Sequence, residues 1–188
     1  MRCISLLQPW ATCVVLGLKR YETRTWATRH RGTLAVHASR RFPESLRAVC
    51  RQEPLRRLLR EAGVAGWSEL LTGVILGTVE VVDCRRVEAL DPLGAGELAL
   101  GDFRPGRWAW VLADPRPLAA PITYRGMQGI FDLPDPITRC VEAGGCLGPA
   151  AQLRLFSPSP LVGEGWGGGE EAVTPTPPLP HPRGREKG

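Results

Sequence analysis

The chain has 188 residues, 43% hydrophobic and 23% charged, which allows one domain with its own core plus a tail. No apolar run approaches the ~20 residues a membrane helix needs, and residues 1–10 (MRCISLLQPW) make a poor signal peptide because Gln8 and Pro9 interrupt the apolar run. A cytoplasmic protein without membrane contact is expected. The net charge of +5 is unevenly placed: residues 1–60 hold 13 Lys/Arg against three acids (Glu22, Glu44, Glu53), whereas residues 61–156 hold 8 basic and 12 acidic residues. A strongly basic half beside a weakly acidic one exceeds what solvation requires and points to a polyanionic partner, nucleic acid first.

In chain order, Cys3 to Leu7 reads as a short apolar strand. Gln8-Pro9 opens a helix, with Pro9 suited to its first position; Ala11, Val14, Val15 and Leu18 keep helical spacing and Gly17 stops it. Arg20 to Trp26 is a strand whose alternation puts Glu22, Arg24 and Trp26 on one face and Tyr21, Thr23 and Thr25 on the other. Arg31-Gly32 turns the chain into a strand from Thr33 to Ser39, with Leu34, Val36 and Ala38 facing the core and His37 and Ser39 facing away. Residues 43–62 are helical and basic; Pro54 splits them into two short helices meeting near Glu53. Trp67 to Leu71 adds a turn. Residues 73–87 (GVILGTVEVVDCRRV) form a long β-branched strand in which Gly77 marks a bulge or a close backbone approach. Asp91 to Gly106 is a loop, Arg107 to Ala113 a strand followed by proline-rich turns, and Pro121 to Tyr124 a short extended piece. Gly126, Gln128 and Gly129 form a turn, Ile130-Phe131 closes the sheet, and Ala151 to Phe156 is a last strand.

Strands of mixed length with helices clustered after the third give an α+β domain around a curved sheet or small barrel over residues 1–156. Residues 157–188 hold 7 Pro and 7 Gly and bury too little apolar surface to offset their ordering entropy, so this tail is expected to be disordered. The six cysteines form no CxxC, and no His or second Cys completes a zinc pattern. Buried free thiols, no metal and no cofactor are expected.

Lys19 stands out. It and Lys187 are the two lysines in a chain with 22 arginines. A retained lysine marks a place that wants a compact ammonium rather than a planar fork. The order Gln8-Pro9-Trp10, Gly17-x-Lys19, Glu22-x-Arg24, Trp26, Arg31-Gly32 and His37-Ala38-Ser39 resembles the ASCH domain. So do the later GVILGTVEVVDC, Trp108-Ala109-Trp110, and Pro121-Ile122 with Arg125-Gly126 and Gly129-Ile130-Phe131. The resemblance implies a PUA-like mixed β-barrel with a helix after the first strand and short helices after the third. It also implies a cleft beside that first helix and an RNA- or DNA-related role. Some small bacterial members of the family hydrolyse N4-acetylcytidine with a Lys, Thr and Glu set, and others are proposed ribonucleases. Lys19 matches the family lysine, but the threonine position is Glu22 here, so the Lys-x-x-Glu-x-Arg order is similar instead to the larger, RNA-associated branch.

Read as chemistry, a Glu22 carboxylate between Lys19 and Arg24 stays ionised and can accept from an exocyclic amine. Lys19 and Arg24 can hold a phosphate. Trp10 and Trp26 offer faces for an unstacked base, and Gln8, His37 and Ser39 add hydrogen bonds. Arg29, Arg31, Arg40, Arg41, Arg47 and Arg51 supply a basic surface. If the site is catalytic, Lys19 and Glu22 are the acting groups. Three readings stay open. One is a nucleic-acid-binding module, with RNA favoured by the resemblance. The second is a hydrolase of acylated nucleosides, or a ribonuclease. The third is an interaction module whose arginine-rich helices contact an acidic protein.

Overall fold

The computed structural model describes residues 1–145; the expected strand at 151–156 and the tail from 157 lie outside them. Strand β1 (Arg2–Leu6) leads into helix α1 (Trp10–Val15), with Pro9 one position earlier than expected, at its N-cap. Gly17, at φ +73°, ends the helix in the left-handed region that glycine tolerates. Then come β2 (Tyr21–Arg24), β3 (Gly32–Ala38), α2 (Glu44–Val49) and α3 (Leu55–Glu61), broken at Pro54 as expected, and a 3₁₀ turn at Trp67–Glu69. Strand β4 (Val74–Arg86), α4 (Ala95–Leu98), β5 (Trp108–Thr123), β6 (Ile130–Asp132) and α5 (Asp135–Glu142) complete the domain.

The six strands form one mixed sheet in the order β2-β5-β4-β3-β1-β6, with β1 and β3 parallel and the other neighbours antiparallel. It curves into a half-barrel with β2 and β6 at its edges. Ile4, Leu6, Leu34, Val36, Val79, Val81 and Trp110 line the face on which α1 lays Ala11, Val14 and Val15. Burying each of these larger side chains contributes about 1.5–3 kcal/mol. Cys3, Ala35, Ile75, Ile122 and Phe131 form a second core with Val141 of α5 on the opposite face. A third cluster (Cys13, Cys50, Leu55, Leu59, Leu100) seats α3 and the chain after α4.

Several expectations are corrected. The residues from 107 to 124 are not a strand, turns and a second short piece but one 16-residue strand. Beyond Val111 it pairs with β4 and no longer with β2, and the ladder shifts register there, so Pro115, Pro117 and Pro121 fall where missing N–H donors are tolerated. The loop at 91–106 contains α4, and α5 was not anticipated. Both faces of β3 are buried rather than one: Ala35 enters the second core and His37 is 1% exposed. Gly77 lies at a register shift, where a Cβ would come within 2.5 Å of the Arg116 carbonyl oxygen. Among the described residues, no helix is long and apolar enough to cross a membrane.

Cys3, Cys13, Cys50 and Cys84 are free thiols, as expected, whereas Cys140 is disulfide-bonded. Burial pushes the Cys3 and Cys13 thiols up to about 12 and the Cys50 thiol up to about 11. The thiolate is the reactive form. Iodoacetamide at neutral pH is therefore expected to leave these three unmodified in the native protein and to label them in denaturant, as read by mass spectrometry.

Candidate functional site

The sequence places Lys19 between the glycine stop of α1 and the start of β2, and the fold buries it to 3% exposure. Its Nζ donates to the Leu100 carbonyl, stands 3.5 Å from Glu22 Oε2 and lies 5.9 Å from the Trp10 ring centre. Glu22, also buried, faces Arg24 Nε at 2.9 Å through its other oxygen. That Arg24 Nε is buried and has no well-aligned acceptor, so the contact is an ion pair rather than a linear hydrogen bond. The expected Lys19–Glu22–Arg24 grouping is therefore present.

A small cleft of about 340 Å³ opens beside it, lined by Trp10, Lys19, Glu22, Thr23, Leu100, Gly101 and Asp102. Thr23 shares this cleft although strand alternation turns it away from Glu22. The segment after α4 wraps the edge strand, and Asp102 N–H donates to Thr23 Oγ1 at 3.0 Å. Glu97 of α4, 9% exposed, accepts from the backbone N–H of Arg20 (3.1 Å) and Tyr21 (3.3 Å) and pairs with Arg20 Nε. Sequence reading missed Glu97 and Leu100, because a four-residue helix inside a loop carries no usable periodicity.

A second, larger cleft of about 910 Å³ lies on the other side of Arg24. Ser5, Leu7, Arg24, His37, Ser39, Arg40, Arg125, Gly126, Met127, Gln128 and Gly129 line it, and among the described residues no carboxylate does. Arg40 and Arg125 have no ion-pair partner among the described residues, and the aliphatic stem of Arg40 lies over Gly73. Ser39 Oγ accepts from Arg41 N–H at 3.2 Å, which leaves its own hydrogen free to donate into the cleft. His37 Nε2 is 3.1 Å from the Tyr124 carbonyl and Nδ1 is 3.1 Å from Ser5 Oγ. Burial, with Arg40 adding to it and the Tyr124 hydrogen bond opposing it, holds His37 below the ordinary histidine range. That favours the neutral ring.

The candidate residues thus divide. Trp10, Lys19 and Glu22 belong to the small cleft, His37 and Ser39 to the large one, and Arg24 joins the two. Gln8 is buried and fully engaged: Nε2 donates to Leu71 O at 2.6 Å and Oε1 accepts from Thr12 N–H at 3.2 Å. Trp26 lies past the end of β2, lines neither cleft, and packs edge-on against Trp110 with ring centres 4.7 Å apart.

The basic surface divides too. Arg29 and Arg41 are exposed and unpaired among the described residues. Arg31 pairs with Asp83 at 3.2 Å. Arg47 and Arg51 pair with Glu44 and fold over Trp67 at 4.8 and 5.8 Å. Arg56 and Arg57 pair with Glu53 and Glu61. Four of the five arginines in residues 43–62 thus have a carboxylate beside them, two of them sharing Glu44.

A helix laid into a mixed half-barrel is the architecture of the ASCH domain, a PUA-like fold family associated with RNA binding. The ASCH domain family model matches residues 4–122, and the chain belongs to that family. Among relatives, activating signal cointegrator 1 of Homo sapiens and of Mus musculus are each 40% identical over 82 residues. That match covers 44% of this chain and 14% of the relative. Among solved structures, the ASCH protein of Zymomonas mobilis superposes with a TM-score of 0.47 at 17% identity, covering 73% of this chain and 90% of that one. A variant of the same protein gives 0.45 at 15%, covering 76% and 96%.

Proposed function

We propose that this ASCH domain binds single-stranded nucleic acid, RNA in preference to DNA, and that the large cleft holds the strand. The observation that carries the reading is electrostatic. Arg24, Arg40 and Arg125 line a concavity of about 910 Å³ to which the described residues contribute no carboxylate. Two of them have no acidic partner among the described residues, and the third shares its partner, Glu22, with Lys19. Unpaired guanidiniums in a recess are matched by phosphate, which they grip with parallel N–H donors. The free hydroxyl of Ser39 adds a donor.

The Lys19–Glu22 centre supports this cleft rather than replacing it. Lys19 donates to the Leu100 carbonyl and pairs with Glu22, and that engagement speaks against its use as a base toward an acylated nucleoside. Pairing within α2 and α3 likewise speaks against their use as a dock for an acidic protein.

Titration of a labelled single-stranded RNA at rising salt tests the reading. With three phosphates neutralised, log K should fall against log salt with a slope of about −2. Absence of RNA and DNA binding at low salt would sink the proposal.

A further inference from the structure

The floor of the large cleft has a polarity opposite to that of its walls. Parallel pairing of β1 with β3 sets Ser5 directly across from His37. The Tyr124 carbonyl can only accept, so His37 Nε2 carries the hydrogen that bonds it at 3.1 Å. In the neutral ring Nδ1 is then a bare acceptor. Ser5 Oγ, 3.1 Å away, must give its single hydrogen to that nitrogen. What Ser5 leaves for the cleft is lone pairs alone. Gly126 closes over the pair so tightly that any Cβ there would collide with the His37 ring and with Ser5 Oγ, so the hydroxyl and ring keep this geometry.

An acceptor-only hydroxyl repels a phosphate oxygen, which is also an acceptor. Phosphates therefore belong on Arg24, Arg40, Arg125 and Ser39, and Ser5 faces a group bearing N–H or O–H. In a nucleotide strand the donor nearest the phosphate is the ribose 2′-hydroxyl, which DNA lacks. We infer that Ser5, oriented by His37 as its positioning residue, is the acceptor that selects a ribose 2′-hydroxyl and makes this cleft a ribonucleotide site. The inference rests on the reading of the cleft as a nucleic-acid site, and it replaces resemblance with a local physical reason for preferring RNA.

The test uses the full chain and three labelled oligouridines of equal length, with ribose, 2′-deoxyribose or 2′-fluororibose, followed by fluorescence anisotropy. The base is constant, so its N–H donor is constant, and the fluoro sugar keeps a ribose-like pucker without a donor. The ribose strand should bind about tenfold more tightly than the fluoro strand, the scale of one hydrogen bond that would otherwise leave a recessed acceptor unmet. Ser5→Ala, verified as folded by thermal melting, should bring the ratio to about one. Equal wild-type affinity for the ribose and fluoro strands overturns the inference, as does a preference that survives Ser5→Ala. If no strand binds, the nucleic-acid reading itself falls, which separates its failure from that of the sugar selection.

Discussion

Lys19→Ala is expected to destabilise the domain by about 3 kcal/mol, the scale seen when one partner of a buried ion pair is removed. Thermal melting should record this as a fall of roughly 6–12 °C for a chain of this size. The cost has two sources. The Leu100 carbonyl loses its buried donor, and Glu22 is left with Arg24 Nε at 2.9 Å, a contact that is itself poorly aligned. Lys19→Arg should not rescue the loss. Nζ ends close against Gly101, where a Cβ would already stand 3.2 Å from it, and the planar guanidinium has no room to reach both Leu100 and Glu22. Below the lowered melting temperature Lys19→Ala should still bind RNA, because the lysine braces the cleft from behind instead of lining it. A melting temperature within a degree of wild type would refute this account.

That role for Lys19 also explains how far the sequence alone could be read. Lysine scarcity and the Lys-x-x-Glu-x-Arg spacing located the buried cluster, because residues three and two apart across a turn and a strand entrance meet whatever the rest of the fold does. Pro54 fixed the helix break and Gly77 the irregularity in β4 for equally local reasons. The cover over Lys19 was not legible, since Glu97 and Leu100 arrive from some eighty residues away, on a four-residue helix and the chain just after it. The Ser5–His37 pair was hidden for a different reason. His37 was visible as a polar residue on the far face of β3, but its partner depends on the parallel register between β1 and β3, which no turn or spacing specifies. Arg125 figured only among the residues of the resemblance, and it is the chain after β5 that brings it into one cleft with Arg24 and Arg40. The division of one expected site into two clefts therefore reflects long-range pairing and not a misread motif.

The same division sets the largest expected change in binding. The double variant Arg40→Ala/Arg125→Ala should weaken single-stranded RNA binding about a hundredfold, taking each charged contact at about 1.5 kcal/mol. The slope of log K against log salt should shrink by about 1.4, or 0.7 for each phosphate no longer neutralised. The loss should be uniform across sequences, because phosphate contacts position a strand without reading its bases. Arg31→Ala, which removes a guanidinium already held by Asp83 at 3.2 Å, is the matched control and should leave both affinity and slope nearly unchanged. Arg47→Ala gives a second contrast. Its guanidinium lies 4.8 Å from the Trp67 ring centre and 5.6 Å from that of Phe42, so its removal should lower the melting temperature more than the affinity. If Arg31 and Arg47 matter to RNA as much as Arg40 and Arg125 do, charge is acting over the whole basic half and the cleft has no special part. A loss confined to Arg40 and Arg125, with the salt slope falling alongside, ties the affinity to the large cleft and its unpaired arginines.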